Sequence, residues 1–283
     1  MADPAAPPPR RTPYELVFRD GGLEYEALPA IAQEAESRNV DPADPERFLM
    51  LAESGKALRR MRPDSADSTP GTAVAQYGAL LFHGFHFWRA GEPLFVVAED
   101  ALRTLLASPP EVGAWTLDPP ASAGYLQLPR HRVWLPAAGE GAPEPIDGFF
   151  WTTTSPANVA GGDPTFMLHL ALVIGVRPGR PGFGVVELSS PLPPPPVAHW
   201  ADVAARDAGR DFENILPGGE IEGLFALTSV AEALRLASLL FHFARDDRVS
   251  ASIDAPEAAA PAPHSFPPTA LAYRRITLAG TDG

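Results

Sequence analysis

The chain has 283 residues, 45% of them hydrophobic and 20% charged, with a formal net charge of −13. Those proportions are ordinary for a soluble protein with a substantial core and too apolar for general disorder. The acidity opposes binding to a polyphosphate backbone, which relies on cationic side chains releasing counterions, so nucleic acid is not an expected partner.

Cysteine is absent. Disulfides, thiolate nucleophiles, iron–sulfur clusters and cysteine zinc sites are therefore ruled out, and a reducing compartment fits. No window reaches the roughly 18 uninterrupted apolar residues of a membrane span; the best, over 166–176, is too short and carries His169. The start, MADPAAPPPRRTP, has no apolar core of a secretory signal. A cytoplasmic location is the expectation.

In chain order, residues 1–13 read as a disordered, proline-rich leader. YELVFRDGGLEYEAL reads as a short hairpin, with Asp20, Gly21 and Gly22 supplying the turn. DPADPERFLMLAESGKALRRMRP reads as one helix. Asp44 is its N-cap, Pro45 its first residue, three arginines fill its last turn, and Phe48, Leu51, Leu58 and Met61 form an apolar stripe. From 72 to 89 the chain is helical in pattern but apolar on almost every side, which places it in a core or beneath another layer. LFVV is a short strand, and AEDALRTLLAS a helix.

Four strand-like runs follow between 124 and 190: GYLQLPRHRVWLP, PIDGFFWTTT, TFMLHLALVIGV and GFGVVELSS. They predict a mainly antiparallel sheet burying Trp, Phe, Leu and Val. PLPPPPV must be extended, because consecutive prolines fix φ and remove donors. A helix is expected near 199–208, and IEGLFAL reads as a further strand. Ser229 and Glu232 form a capping box opening a helix to about Arg245, and ALAYRRITLAG reads as a last strand. The fold class is α+β: a mainly antiparallel central sheet with packed helices and a helical N-terminal part. Residues 14–283 form a single domain in this reading, helix-rich over 23–108, with the sheet core over 124–190 and helices over 197–248. A linker over 254–268 and a terminal strand over 270–279 complete it.

Candidate chemistry is sparse. His83 and His86 stand three apart on the apolar helix, on one face and within reach of one metal ion if a third ligand joins them. The plainer alternative is a pair of core histidines, and no metal or cofactor is assigned. Asp147 is the third catalytic candidate, although Asp147-Gly148 also reads as turn chemistry. Arg130 and Arg132 flank His131 in a strand-like run, so alternation would set two guanidiniums side by side as an anion clamp or leave them on a solvated face. Trp134 follows, and Trp134 and Trp151 could be cross-strand neighbours. Neither GxSxG nor GxGxxG nor GxxxxGK[ST] occurs.

The order FHFWRAG, LFVVAEDALRTLLAS, YLQLPRHRVWL, DGFFW, LHLALVI and PLPPPPV resembles the pattern of the broad bacterial and phage family around a type V anti-CRISPR protein. The resemblance spans about residues 76–205 and rests on short hydrophobic motifs. It implies fold without a catalytic site, and a non-enzymatic protein acting on another protein. The first functional reading is accordingly a soluble protein-binding protein, in a phage, defence or regulatory setting. The alternatives are an enzyme with a pocket lined by His83, His86 and Asp147, or a subunit of a larger assembly.

Overall fold

The computed structural model describes residues 9–61, 70–107, 118–135, 143–154, 166–176, 183–192, 220–221, 224–226, 230–247, 249–254 and 266–277. Its elements are a π-helical turn Glu15–Arg19, then helices α1 (Leu23–Ser37), α2 (Pro45–Leu49), α3 (Ala52–Met61), α4 (Pro70–Arg89), α5 (Glu99–Ala107) and α6 (Val230–Arg245). The strands are β1 (Leu94–Val97), β2 (Ala123–Gln127), β3 (Val133–Leu135), β4 (Glu144–Thr153), β5 (Phe166–Ile174), β6 (Gly184–Leu192), β7 (Glu220–Ile221), β8 (Leu224–Ala226), β9 (Ser250–Ile253) and β10 (Tyr273–Ile276). The fold is α+β with a mixed, mostly antiparallel sheet.

The main sheet runs β6-β5-β4-β2-β1-β10-β9. β1 lies parallel to both β2 and β10, while β4, β5 and β6 form an antiparallel meander. β3, β8 and β7 continue from the first residues of β4, where Trp134 faces Pro145 and Leu135 faces Glu144. Alternation along the strands sends side chains to two cores. On one face Phe95, Leu126, Phe149, Trp151, Leu170 and Leu172 meet α5 and α6, with Leu102, Leu234 and Phe241 among the contacts. On the other, Val96, Tyr125, Phe150, Ala171 and Val173 meet α4, which α1, α2 and α3 cover in turn. α4 and α6 thus sit on opposite faces of the sheet. The chain has a reason for α4 to be apolar all round: it lies between a sheet and a second helical layer.

Several expectations give way to long-range contacts. The hairpin expected over YELVFRDGGLEYEAL is helical on both sides of the glycines. Gly22, at φ 68°, supplies the left-handed step between the π-helical turn and α1, and Tyr14, Phe18, Leu23 and Leu28 are all buried. Tyr14 and Phe18 stand four apart, Leu23, Ala27, Leu28 and Ile31 share one helical face, and the glycine pair marks a corner between the two helical segments.

The single helix expected from Asp44 to Met61 is two. Asp44 caps α2 as expected, its Oδ1 accepting from the Glu46 and Arg47 N–H groups. The break comes from α1: Glu34 accepts hydrogen bonds from the Ala52 and Glu53 N–H groups and so caps α3 from outside. Those bonds hold the Glu34 carboxyl below its ordinary pKa.

The run GYLQLPRHRVWLP is not one strand either. Between the pairs Gln127↔Gly148 and Trp134↔Pro145 the chain spends seven residues against three on β4, and the surplus forms a turn at 130–132. His131 adopts φ 59° at its centre and is exposed.

Of the stretch expected as a leader over 1–13, residues 9–13 are described and are held against the rest of the chain. Arg10 pairs with Pro268 in an antiparallel bridge, and the Thr269 N–H donates to the Pro9 carbonyl. β9, within a stretch given no strand in the sequence reading, pairs antiparallel with β10, so the end of the chain closes one edge of the sheet. The helix expected near 199–208, the PLPPPPV prolines after Leu192, and Ser229 lie outside the described residues.

Candidate functional site

The α4 face of β4, β5 and β6 carries an unusual set of polar side chains. The register places Thr152, His169 and Ser189 abreast, and Phe150, Ala171 and Glu187 abreast in the next row. α4 lies over these rows and brings His83 down onto them. His83 is 0% exposed, and its Nδ1 is 2.9 Å from the Thr152 hydroxyl. Its Nε2 is buried without a hydrogen-bond partner and points toward Glu187 Oε1 at 3.8 Å. Burial, followed by the nearness of His169 and His86, holds the His83 pKa well below its ordinary value. A neutral imidazole whose Nδ1 accepts from Thr152 carries its proton on Nε2, facing the carboxylate.

His86 does not join His83 on one ligand. One turn on, its Nε2 donates to the Pro42 carbonyl at 2.9 Å, across the loop before α2. Burial pushes its pKa down to about 4, and the Pro42 hydrogen bond opposes it in part. The two imidazoles therefore do not converge on one point. His83 addresses the sheet and His86 the outer helical layer. Among the described residues no group of three or more His, Asp or Glu is arranged to hold a metal ion.

The third imidazole of the cluster, His169, was not singled out by the sequence. Its Nδ1 is 3.0 Å from the Ser189 hydroxyl, and burial lowers its pKa. Glu187 and Ser189 were equally silent, and Thr152 stood out only as one hydroxyl in a run without a nucleophile motif. Only the strand register gathers them, and no local spacing encodes a register between β4, β5 and β6. Phe82 packs among the three rings, with centroid distances of 5.3 Å to His83, 4.8 Å to His86 and 5.9 Å to His169.

Asp147 lies elsewhere, in β4 beside a register shift between Ile146 and Gly148, and not in a turn. Its Oδ1 accepts from Arg10 Nε and Nη2 at 3.1 and 2.8 Å, and its Oδ2 accepts from the Tyr125 hydroxyl at 2.7 Å. Arg10 also donates to the Leu128 carbonyl, and Gln127 holds the Arg10 backbone from both sides. Burial and the adjacent Asp147 raise the Tyr125 pKa well above its ordinary value. The arrangement gives both carboxylate oxygens a partner and fastens the N-terminal segment to the sheet.

The remaining candidates are dispersed by the turn at 130–132. Arg130 is exposed, with its guanidinium 4.6 Å from the Phe266 ring centroid. Arg132 pairs with Glu99 at the start of α5. The two do not stand side by side, so the geometry of an anion clamp is not formed. Trp134, on β3, donates from Nε1 to the His131 carbonyl at 3.1 Å and stacks near the His131 ring. Trp151 is fully buried on β4 opposite Gly124, so the two tryptophans are not cross-strand neighbours.

No protein-family model matches the chain, and no curated protein matches it. Among solved structures the chain is similar to AcrVA2, a type V anti-CRISPR protein. The two are 12% identical, the TM-score is 0.39, and the match covers 93% of this chain and 81% of AcrVA2. At that level the likeness carries no argument about function. No helix among the described residues is long and apolar enough to cross a membrane.

Proposed function

We propose that this chain is a non-enzymatic cytoplasmic protein that acts by binding another protein, in a phage, defence or regulatory setting. The observation that carries the reading is the surface of the outer helical layer. Tyr25 on α1 is 72% exposed, Met50 between α2 and α3 is 80% exposed, and Leu49 stands out beside it. Three of the four large apolar side chains exposed among the described residues belong to this layer, the fourth being Phe166. Single exposed apolar residues are common, but Tyr and Met are enriched where proteins meet. The same layer carries charged pairs: Glu26, next to Tyr25, bridges to Arg60 between α1 and α3, and Arg47 of α2 pairs with its N-cap Asp44. Exposed apolar anchors and charged pairs on one layer are the residue types that protein interfaces combine.

The catalytic candidates support the same reading by what they do. Asp147 is engaged by Arg10 and Tyr125, His86 by a backbone carbonyl, and His83 has no solvent exposure. The motif resemblance in the sequence points to the same class of action, and the defence setting rests on that resemblance.

The test is reconstitution. A partner isolated by affinity capture is purified and titrated calorimetrically against the wild type and a Tyr25→Asp/Met50→Asp variant. Loss of affinity by tenfold or more supports the reading, since aromatic anchors dominate interface energetics. Equal affinity removes this surface from the account. Turnover of a small molecule that depends on His83 or Asp147 would overturn the reading as a whole.

A further inference from the structure

We propose that the contact between α4 and the β4–β5–β6 face is an acid-responsive latch, closed while His83, His86 and His169 are neutral and released when they take up protons. The geometry is a cage of three imidazoles around one phenyl ring, Phe82, at the junction of α4, the sheet and the outer helices, with His83 fully buried and His86 and His169 half-buried. Each imidazole is built into a different wall. His83 rests on Thr152 of β4, His169 on Ser189 of β6, and His86 on the Pro42 carbonyl of the loop before α2. Charging His83 places a cation in an apolar layer, charging His86 or His169 places one in a half-buried site, and charging more than one adds repulsion between neighbours that already lower one another's affinity for protons.

The groups facing the cage from each packed element do not offset that charge. α4 itself contributes Arg89, a cation that disfavours protonation of His86, and the loop before α2 contributes Asp41, which favours it. α2 presents Phe48, β4 presents Thr152, and β5 presents only His169 itself. β6 presents Ser189 and Glu187, and Glu187 is the carboxylate set against His83 at 3.8 Å. Burial raises the Glu187 pKa, so this carboxylate loses charge as the imidazoles gain it. The balance moves toward uncompensated positive charge as pH falls.

The sign follows from linkage. All three histidines have lowered affinity for protons when packed and ordinary affinity when released. Below about pH 6.5 the released form therefore binds more protons and gains population, and above that value the latch contributes its full stability. The unpartnered Nε2 of His83 makes this wall the weakest, because a hydrogen bond is already missing there.

The experiment is an acid titration of the full chain from pH 7.5 to 4. Long-range ¹H–¹⁵N spectra follow imidazole protonation, assigned with the single His83→Gln, His86→Gln and His169→Gln variants. Binding of a hydrophobic dye and near-ultraviolet circular dichroism follow release of aromatic packing, while far-ultraviolet dichroism follows the secondary structure. The expected result is dye uptake and loss of near-ultraviolet signal within this range, coincident with protonation of the caged histidines and preceding loss of far-ultraviolet signal. In the His83→Gln/His169→Gln variant the midpoint moves down by at least one pH unit. An unmoved midpoint overturns the proposal. Should that variant not fold, the wild-type titration decides: protonation of all three imidazoles without dye uptake, or dye uptake while they remain neutral, overturns it equally.

Discussion

The indole of Trp151 lies over the backbone of Gly124 on the adjacent strand, so close that a Cβ at Gly124 would stand 2.2 Å from the ring. The indole nitrogen donates to the Ala121 carbonyl at 2.9 Å, and the ring packs edge-on against Phe241 of α6. Trp151 thus joins β2, β4 and α6. Trp151→Ala is expected to cost about 3–5 kcal/mol, the range for truncating a buried aromatic. Gly124→Ala overfills the same space and is expected to cost about 1–3 kcal/mol or more. Urea unfolding midpoints measure both, and a midpoint unchanged by either substitution would contradict the packing.

Arg10 and Asp147 are 137 residues apart in sequence and form a largely buried ion pair. Removing only the cation leaves the Asp147 carboxylate with Tyr125 as its remaining side-chain partner. Arg10→Ala is therefore expected to destabilise by about 3–5 kcal/mol, the cost of leaving a buried charge without its counter-ion. Deletion of residues 1–12 should be at least as damaging, because Thr12 also donates to the buried Glu15 carboxylate, which Thr269 and the Ala270 N–H bind from the far end of the chain. Thermal melts of the truncated protein test this, and a melt matching the wild type would show that the clasp adds no stability.

His86 makes stability depend on pH in a calculable way. Its pKa is about 4 in the fold against an ordinary 6.5. Between those values the unfolded chain binds a proton that the folded one does not, so stability falls as pH falls and is fully present above about 6.5. One such group removes roughly 3 kcal/mol across the window, at about 1.4 kcal/mol per pH unit. His86→Gln should flatten the dependence of unfolding free energy on pH between 6.5 and 4 by a comparable amount. Equal slopes for variant and wild type would show that His86 is protonated normally in the fold.

The parts of this architecture written in local pattern were legible in the sequence. The all-round apolar character of α4 placed it between layers, the Asp44-Pro45 pair marked the start of α2, and the four central runs marked the sheet. What escaped depended on distant partners. Glu34 divides α2 from α3 from eighteen residues away at Ala52, and nothing within 44–61 announces the break. The turn at 130–132 is set by pairing with β4, whose register no residue of that run encodes. The glycines after Asp20 carry the same turn chemistry whether they join strands or helices, and the buried Tyr14 and Phe18 decided for helices. Of the candidate site, His83 and His86 were visible as a pair three apart, but His169, Ser189 and Glu187 become their neighbours only when three strands lie side by side.

The central claim is that the protein acts through its outer helical surface and uses its histidines for packing. The most direct measurement compares three baits in parallel affinity capture with quantitative mass spectrometry: wild type, Tyr25→Asp/Met50→Asp, and His83→Gln/His86→Gln, each first shown to be folded by its thermal melt. The account predicts a stoichiometric protein partner held by the wild type and the histidine variant and lost by the surface variant. A partner held by the surface variant and lost by a folded histidine variant would contradict it.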